Sequence, residues 1–79
     1  MKTIENKTIF FSQNLKFLRN QKGYTVKNLA LKLNTLDDNV YKWETGYCEP
    51  AIPVLIKICA VFKVSAQTML TESIEGVAV

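Results

Sequence analysis

Apolar residues recur along this chain at the spacing of an α-helix. In the first segment, residues 9–22, the apolar positions are separated by four and then three residues, which places them on one helix face. These positions are Phe11, Leu15 and Leu18. Gly23 follows the segment, as is common directly after a helix C-terminus. The pattern therefore predicts a first helix that ends near residue 22.

Two shorter segments continue the helical pattern. The second starts after Thr25, a good N-terminal cap, and ends before Asn34, which tolerates a left-handed backbone. The third covers residues 37–45 and ends before Gly46. Two aspartates lie in its first turn, where the helix dipole favours negative charge. Both segments are predicted to be helices.

The last two segments are also predicted to be helical. In the fourth, residues 52–62, Pro53 suits the first turn, where its missing N–H is not needed. The fifth is short, residues 65–70, and Ser65 is its expected cap. No stretch of the chain has a convincing strand pattern. The sequence thus predicts an all-α fold of five short helices.

A chain of 79 residues is expected to form one domain. We assign this domain to residues 9–70, with a flexible extension at residues 1–8 and a tail at residues 71–79. The inward helix faces define its expected core: Leu15, Leu18, Leu29, Ala30, Leu33, Val40, Trp43, Leu55, Ile58 and Phe62.

Composition argues against catalysis and against a metal site. The chain contains no histidine, the commonest general base and a common metal ligand. It also lacks a phosphate-binding loop and any Ser-His or Cys-His pair. Cys48 and Cys59 are too few for a zinc site and are expected to be free thiols. We therefore expect no enzymatic activity, no metal and no cofactor.

Charge and hydropathy restrict the choice of partners only weakly. The net charge of +3 is compatible with a polyanionic partner but does not require one. No run of eighteen apolar residues occurs, so no membrane span is predicted. The first residues lack the apolar core of a secretion signal. The protein is therefore expected in the cytoplasm.

Residues 25–46 have the pattern of a helix-turn-helix. The small Ala30 lets a second helix cross closely, and a short turn at residues 34–36 separates the two helices. Over residues 11–70 the sequence resembles the lambda-repressor-like family of bacterial and phage regulators, of the Cro/C1 or Xre type. The matching positions are Leu15, Leu18, Arg19, Lys22, Gly23, Tyr24, Thr25, Leu29, Ala30, Leu33, Val40, Trp43, Glu44, Gly46, Pro50, Leu55, Ile58, Cys59, Val64 and Ser65.

The resemblance implies both a function and a structural ion pair. In this family the third of five helices lies in the major groove of double-stranded DNA, often within a homodimer on a symmetric operator. An arginine and a glutamate that end two helices form an ion pair, here Arg19 and Glu44. The chain is thus expected to be a DNA-binding transcriptional regulator, specifically a repressor. A protein-interaction module on the same fold, of antirepressor or antitoxin type, stays open as the alternative.

Exposed positions early in the third helix are the expected base readers: Asp37, Asp38, Asn39, Tyr41 and Lys42. The two carboxylates depart from the family, which usually offers Ser, Gln, Arg or Thr at the first of these positions. They either accept a hydrogen bond from cytosine or only stabilise the first helical turn. Leu36 is another departure, since leucine caps a helix poorly. Expected contacts to the DNA backbone come from Thr25, Lys27, Asn28 and Tyr47.

The fourth segment is apolar on almost every side. A surface helix needs only one apolar stripe, so this helix is either unusually buried or in contact with another chain. A symmetric homodimer is the commonest arrangement that uses such a face. The candidate dimer residues are Ile56, Ala60, Ile74 and Val77.

Overall fold

The computed structural model describes the backbone of residues 2–74 and the side chains of residues 10–74. Over these residues the chain forms five α-helices and no strand, which confirms the predicted all-α class. None of these helices is both long enough and apolar enough to cross a membrane. The helices are α1 (Lys2–Gln21), α2 (Val26–Leu33), α3 (Asp37–Glu44), α4 (Ile52–Phe62) and α5 (Ala66–Thr71).

Helix α1 starts earlier than its apolar stripe predicts. The stripe predicts a start near residue 9, whereas the helix begins at Lys2. No proline or glycine occurs between residues 2 and 9, so the backbone carries no local stop signal there. The stripe residues Phe11, Leu15 and Leu18 are buried, but their spacing does not define the first residue of the helix. Residues 2–8, which the sequence assigns to an extension, are therefore the first turns of α1.

Local hydrogen bonds define both ends of α2. The Thr25 hydroxyl accepts from the Asn28 N–H at 3.0 Å, and the Asn28 side-chain oxygen accepts from the Thr25 N–H at 3.1 Å. This reciprocal capping box satisfies two otherwise unpaired donors. At the other end, Asn34 has a φ of 58° and donates to the Ala30 and Leu31 carbonyls. Its left-handed conformation ends α2 and turns the chain toward α3.

The core lies between the inward faces of all five helices. α1 packs on α3 and α5, and α2 packs on α3 and α4. The ten core positions named from the sequence are all buried. They are joined by Phe11, Cys59 and Met69. Because each buried large apolar side chain contributes about 1.5–3 kcal/mol, this cluster supplies most of the favourable free energy of folding.

A buried asparagine holds the segment after α5 against α1. The Asn14 amide nitrogen donates to the carbonyls of Met69 and Glu72, at 2.9 and 2.7 Å. Its side-chain oxygen accepts from the Ile74 N–H at 2.9 Å. All three partners lie more than 50 residues away in the sequence. A polar side chain this buried is stable only when hydrogen-bonded, so Asn14 acts as a structural clamp.

Candidate nucleic-acid interface

Helices α2 and α3 pack closely and are joined by a tight turn at residues 34–36. The side chain of Ala30 is a single buried methyl group, so it allows a second helix to cross α2 closely. On α3, Val40 and Trp43 are three residues apart and both are buried. These two side chains anchor one side of α3 to the core.

The opposite side of α3 is open to solvent. Successive residues of an α-helix are rotated by about 100°, so the positions between the two anchors point outward. A helix about 10–12 Å across fits the major groove of B-DNA, which is about 12 Å wide. Nothing in the described part of the chain covers this face. It carries Asp37, Asp38, Tyr41, Lys42 and Thr45, all exposed.

The two aspartates on this face are unpaired. The side chains of Asp37 and Asp38 make no hydrogen bond or ion pair with any described residue. Leu36, the N-cap of α3, contributes no side-chain hydrogen bond either. The carboxylates therefore act on α3 only through its dipole and leave all their acceptor positions outward.

Two further base-reading candidates are partly held by other side chains. Asn39 is half-buried, and its amide nitrogen donates to the Thr35 hydroxyl at 2.8 Å. One amide N–H and the side-chain oxygen of Asn39 remain for a base edge. The Lys42 ammonium lies 5.8 Å from the centre of the Tyr47 ring, a cation–π contact. Asn39 thus borders the open face and Lys42 lies on it, and each side chain makes one contact within the protein.

The candidates for contacts to the DNA backbone lie around α2 and after α3. Thr25, Lys27 and Asn28 are exposed at the start of α2. Thr25 and Asn28 use their side-chain oxygens in the capping box, so Lys27 is the free cation of this group. Tyr47 is exposed in the loop after α3. The structure thus places these side chains at the two ends of the helix-turn-helix.

A two-pronged ion pair joins the end of α1 to the end of α3. Arg19 Nε donates to Glu44 Oε2 at 2.6 Å, and Arg19 Nη2 donates to Glu44 Oε1 at 3.1 Å. Arg19 Nη1 also donates to the Tyr24 carbonyl at 2.9 Å. The side chains are only 12% and 5% exposed. This bidentate geometry fixes the orientation of α3 relative to the core.

The structure separates the four dimer candidates. Ile56 and Ala60 are exposed one turn apart on α4, and Ile52 extends the same face by another turn. Ile74 is half-buried and packs on the protein's own core. Val77 lies outside the described residues. Sequence analysis missed Ile52, although its four-residue spacing from Ile56 was a usable signal.

The exposed α4 face carries little charge. Its one lysine, Lys57, extends its ammonium toward α2 and donates to the Leu33 carbonyl at 3.3 Å. The charge therefore lies beside α2, where it also suits the C-terminal end of that helix dipole. Ile52 and Ile56 are left as an apolar strip without a cation between them.

The thiols and carboxylates of the described residues form no group of three or more that could hold a metal. Burial raises the pKa of the Cys59 thiol, which keeps it protonated and unreactive at neutral pH. Cys48 is exposed in the loop after α3.

The sequence model of the helix-turn-helix family matches residues 15–68. This range is more than half of the chain and includes α2, α3 and α4 entirely. Searches of curated proteins and of solved structures find no significant match. With five helices in its described part, an open α3 and this match, the chain belongs to the lambda-repressor-like helix-turn-helix family of DNA-binding regulators, of the Cro/C1 type.

Proposed function

We propose that the protein represses transcription by binding a two-fold symmetric operator as a homodimer, with α3 in the major groove. The observation that carries this proposal is the open face of α3, which lies opposite the buried Val40 and Trp43. The Arg19–Glu44 pair gives α3 a fixed direction, as a reading helix requires.

Electrostatics predict a modest affinity. Lys27 and Lys42 are the cations of the helix-turn-helix that are best placed for phosphates, and Asp37 and Asp38 oppose them. Each neutralised phosphate contributes about −0.9 to the slope of log affinity against log salt concentration. A homodimer with two such contacts in each protomer thus has a modest slope, about −3.6. Specificity must then come mainly from base contacts.

The homodimer is supported by the apolar strip of Ile52 and Ile56 on α4. A symmetric interface uses the same patch on both copies, and an uncharged strip can pair with itself. Two α3 helices must lie about 34 Å apart to enter successive major grooves on one side of the DNA. An α4 contact between protomers is our proposal for how this spacing is set.

Fluorescence anisotropy with random and genomic duplexes, at low and moderate salt, tests DNA binding. We expect a salt-sensitive complex. Asn39→Ala and Lys42→Ala should each weaken specific binding by about 1–3 kcal/mol if they contact bases. Lys16→Ala, which removes the same charge from an exposed position on α1, is the control and should have little effect. Unchanged affinity in both α3 variants would show that α3 does not recognise the bases.

Sedimentation analysis tests the homodimer. We expect the unmodified chain to be dimeric and Ile56→Asp to be monomeric, because a buried unpaired carboxylate is costly. Leu31→Asp is the control, since Leu31 is similarly exposed but lies on α2. A monomeric unmodified chain contradicts the dimer, and a dimeric Ile56→Asp variant contradicts this interface.

A protein-interaction module is the second candidate. The exposed Leu31 and Tyr41, together with the acidic start of α3, give the helix-turn-helix a surface that a protein partner could also cover. No complex with any duplex, even at low salt, would favour this function over DNA binding.

A further inference from the structure

An exposed leucine stands at the N-terminus of α3. Leu36 is the N-cap of this helix and is 70% exposed. Its backbone carbonyl starts the helix by accepting from the Asn39 and Val40 N–H groups, but its side chain makes no capping bond. The N-terminal residues of a recognition helix are those that contact base edges. The leucine side chain therefore lies where a recognition helix contacts base edges, and it does not cap the helix.

The usual guanine readers are absent from this end of α3. Guanine is most often read by a free arginine or lysine, which donates to its two major-groove acceptors. The single arginine of the chain, Arg19, is bound to Glu44 and to the Tyr24 carbonyl. Lys42 lies in the last turn of α3, away from this end, with its ammonium over the Tyr47 ring. At the start of α3, Leu36 has no side-chain donor, and the acceptor-only carboxylates of Asp37 and Asp38 repel the guanine edge. Asn39 keeps one amide N–H beside its bond to Thr35, a group better suited to adenine than to guanine.

Thymine is the base whose major-groove edge presents an apolar group, its 5-methyl. We propose that Leu36 is a specificity-determining residue that packs against the 5-methyl group of a thymine in each operator half-site. This inference rests on the proposed DNA binding by α3, and it identifies one base that α3 recognises.

Replacing thymine with deoxyuridine tests the contact, because the exchange removes only the methyl group. Duplexes are first selected from a randomised library with the purified full chain. Each thymine of a selected duplex is then replaced singly, and affinity is measured by anisotropy at fixed salt. At one thymine of each half-site we expect affinity to fall about four-fold, the effect of one buried methyl group.

Two variants assign this effect to a residue. In Leu36→Ala the same replacement should change affinity by less than about two-fold, since the methyl group has lost its partner. Leu31→Ala is the matched control, because Leu31 is also 70% exposed but lies on α2, and it should keep the four-fold loss. The Leu36→Ala variant keeps the backbone carbonyl that starts α3, and its melting curve verifies the fold.

The outcomes separate this proposal from the function on which it rests. Selected duplexes that bind equally well with thymine and deoxyuridine overturn the Leu36 contact while leaving DNA binding intact. An undiminished uridine effect in Leu36→Ala also overturns it. Failure to bind any duplex at low salt overturns the proposed function and the Leu36 contact together.

Discussion

Replacing Arg19 with methionine probes how α3 is held. The substitution keeps most of the side-chain length but removes the charge and all three hydrogen bonds of the guanidinium group. The Glu44 carboxylate, 5% exposed, is then left without its partner. The Tyr24 carbonyl also loses a donor.

The expected destabilisation follows from the burial of the pair. Removing one partner of a buried ion pair costs about 3–5 kcal/mol, because the other charge stays buried and uncompensated. Since Arg19 is 12% exposed, water reaches part of the site and we expect the lower value, about 3 kcal/mol. In a domain of this size each kcal/mol lowers the melting temperature by about 4–8 °C. Arg19→Met should therefore melt about 12–24 °C lower.

Thermal and urea unfolding followed by circular dichroism measure this loss. Lys22→Met is the control, because Lys22 is exposed just after α1, and it should change stability by less than about 0.5 kcal/mol. The double variant Arg19→Met with Glu44→Leu should recover much of the loss, since no buried charge remains. A cost below about 1 kcal/mol for Arg19→Met would show that the pair behaves like a surface ion pair and would refute the reasoning.

Two further predictions follow from buried groups. Asn14→Ala removes the hydrogen bonds to two carbonyls and one N–H, so we expect a loss of about 2–3 kcal/mol and faster amide exchange in α5 than in α2. Equal acceleration in both helices would argue against a local clamp. In the native chain Cys48 should react with a thiol reagent while Cys59 reacts only on unfolding, because Cys59 is buried and its pKa is raised. Similar rates for both thiols would contradict this assignment.

Local sequence signals were sufficient for most of the helix boundaries. The ends of α2 depend on Thr25 and Asn34, whose hydrogen bonds reach residues within one or two turns. The inward positions of α3, Val40 and Trp43, follow from the helical period alone. Such signals depend on neighbours in the chain, so the sequence predicts them without knowledge of the fold. The start of α1 shows the limit, since an apolar stripe indicates burial and not where a helix begins.

The candidate site was only partly accessible to the same reasoning. Periodicity placed Asp37, Asp38 and Tyr41 on one outward face, and the structure leaves all three exposed. It could not show that the Asn39 amide donates to Thr35, since a side-chain hydrogen bond depends on rotamers and on the path of the turn. The association of Arg19 with Glu44 came from family resemblance, because nothing in the spacing of two residues 25 positions apart indicates contact.

The sequence by itself determined the number of helices, the core positions and the outward face of α3. Only the tertiary structure decided which polar groups have partners inside the protein. Asn14 shows this most clearly, because its polar side chain on an otherwise apolar stripe gives no local sign of partners more than 50 residues away. Apolar burial is non-directional and follows a periodic pattern, whereas a buried hydrogen bond needs a specific donor and acceptor at about 3 Å. That requirement is met only once distant parts of the chain have come together.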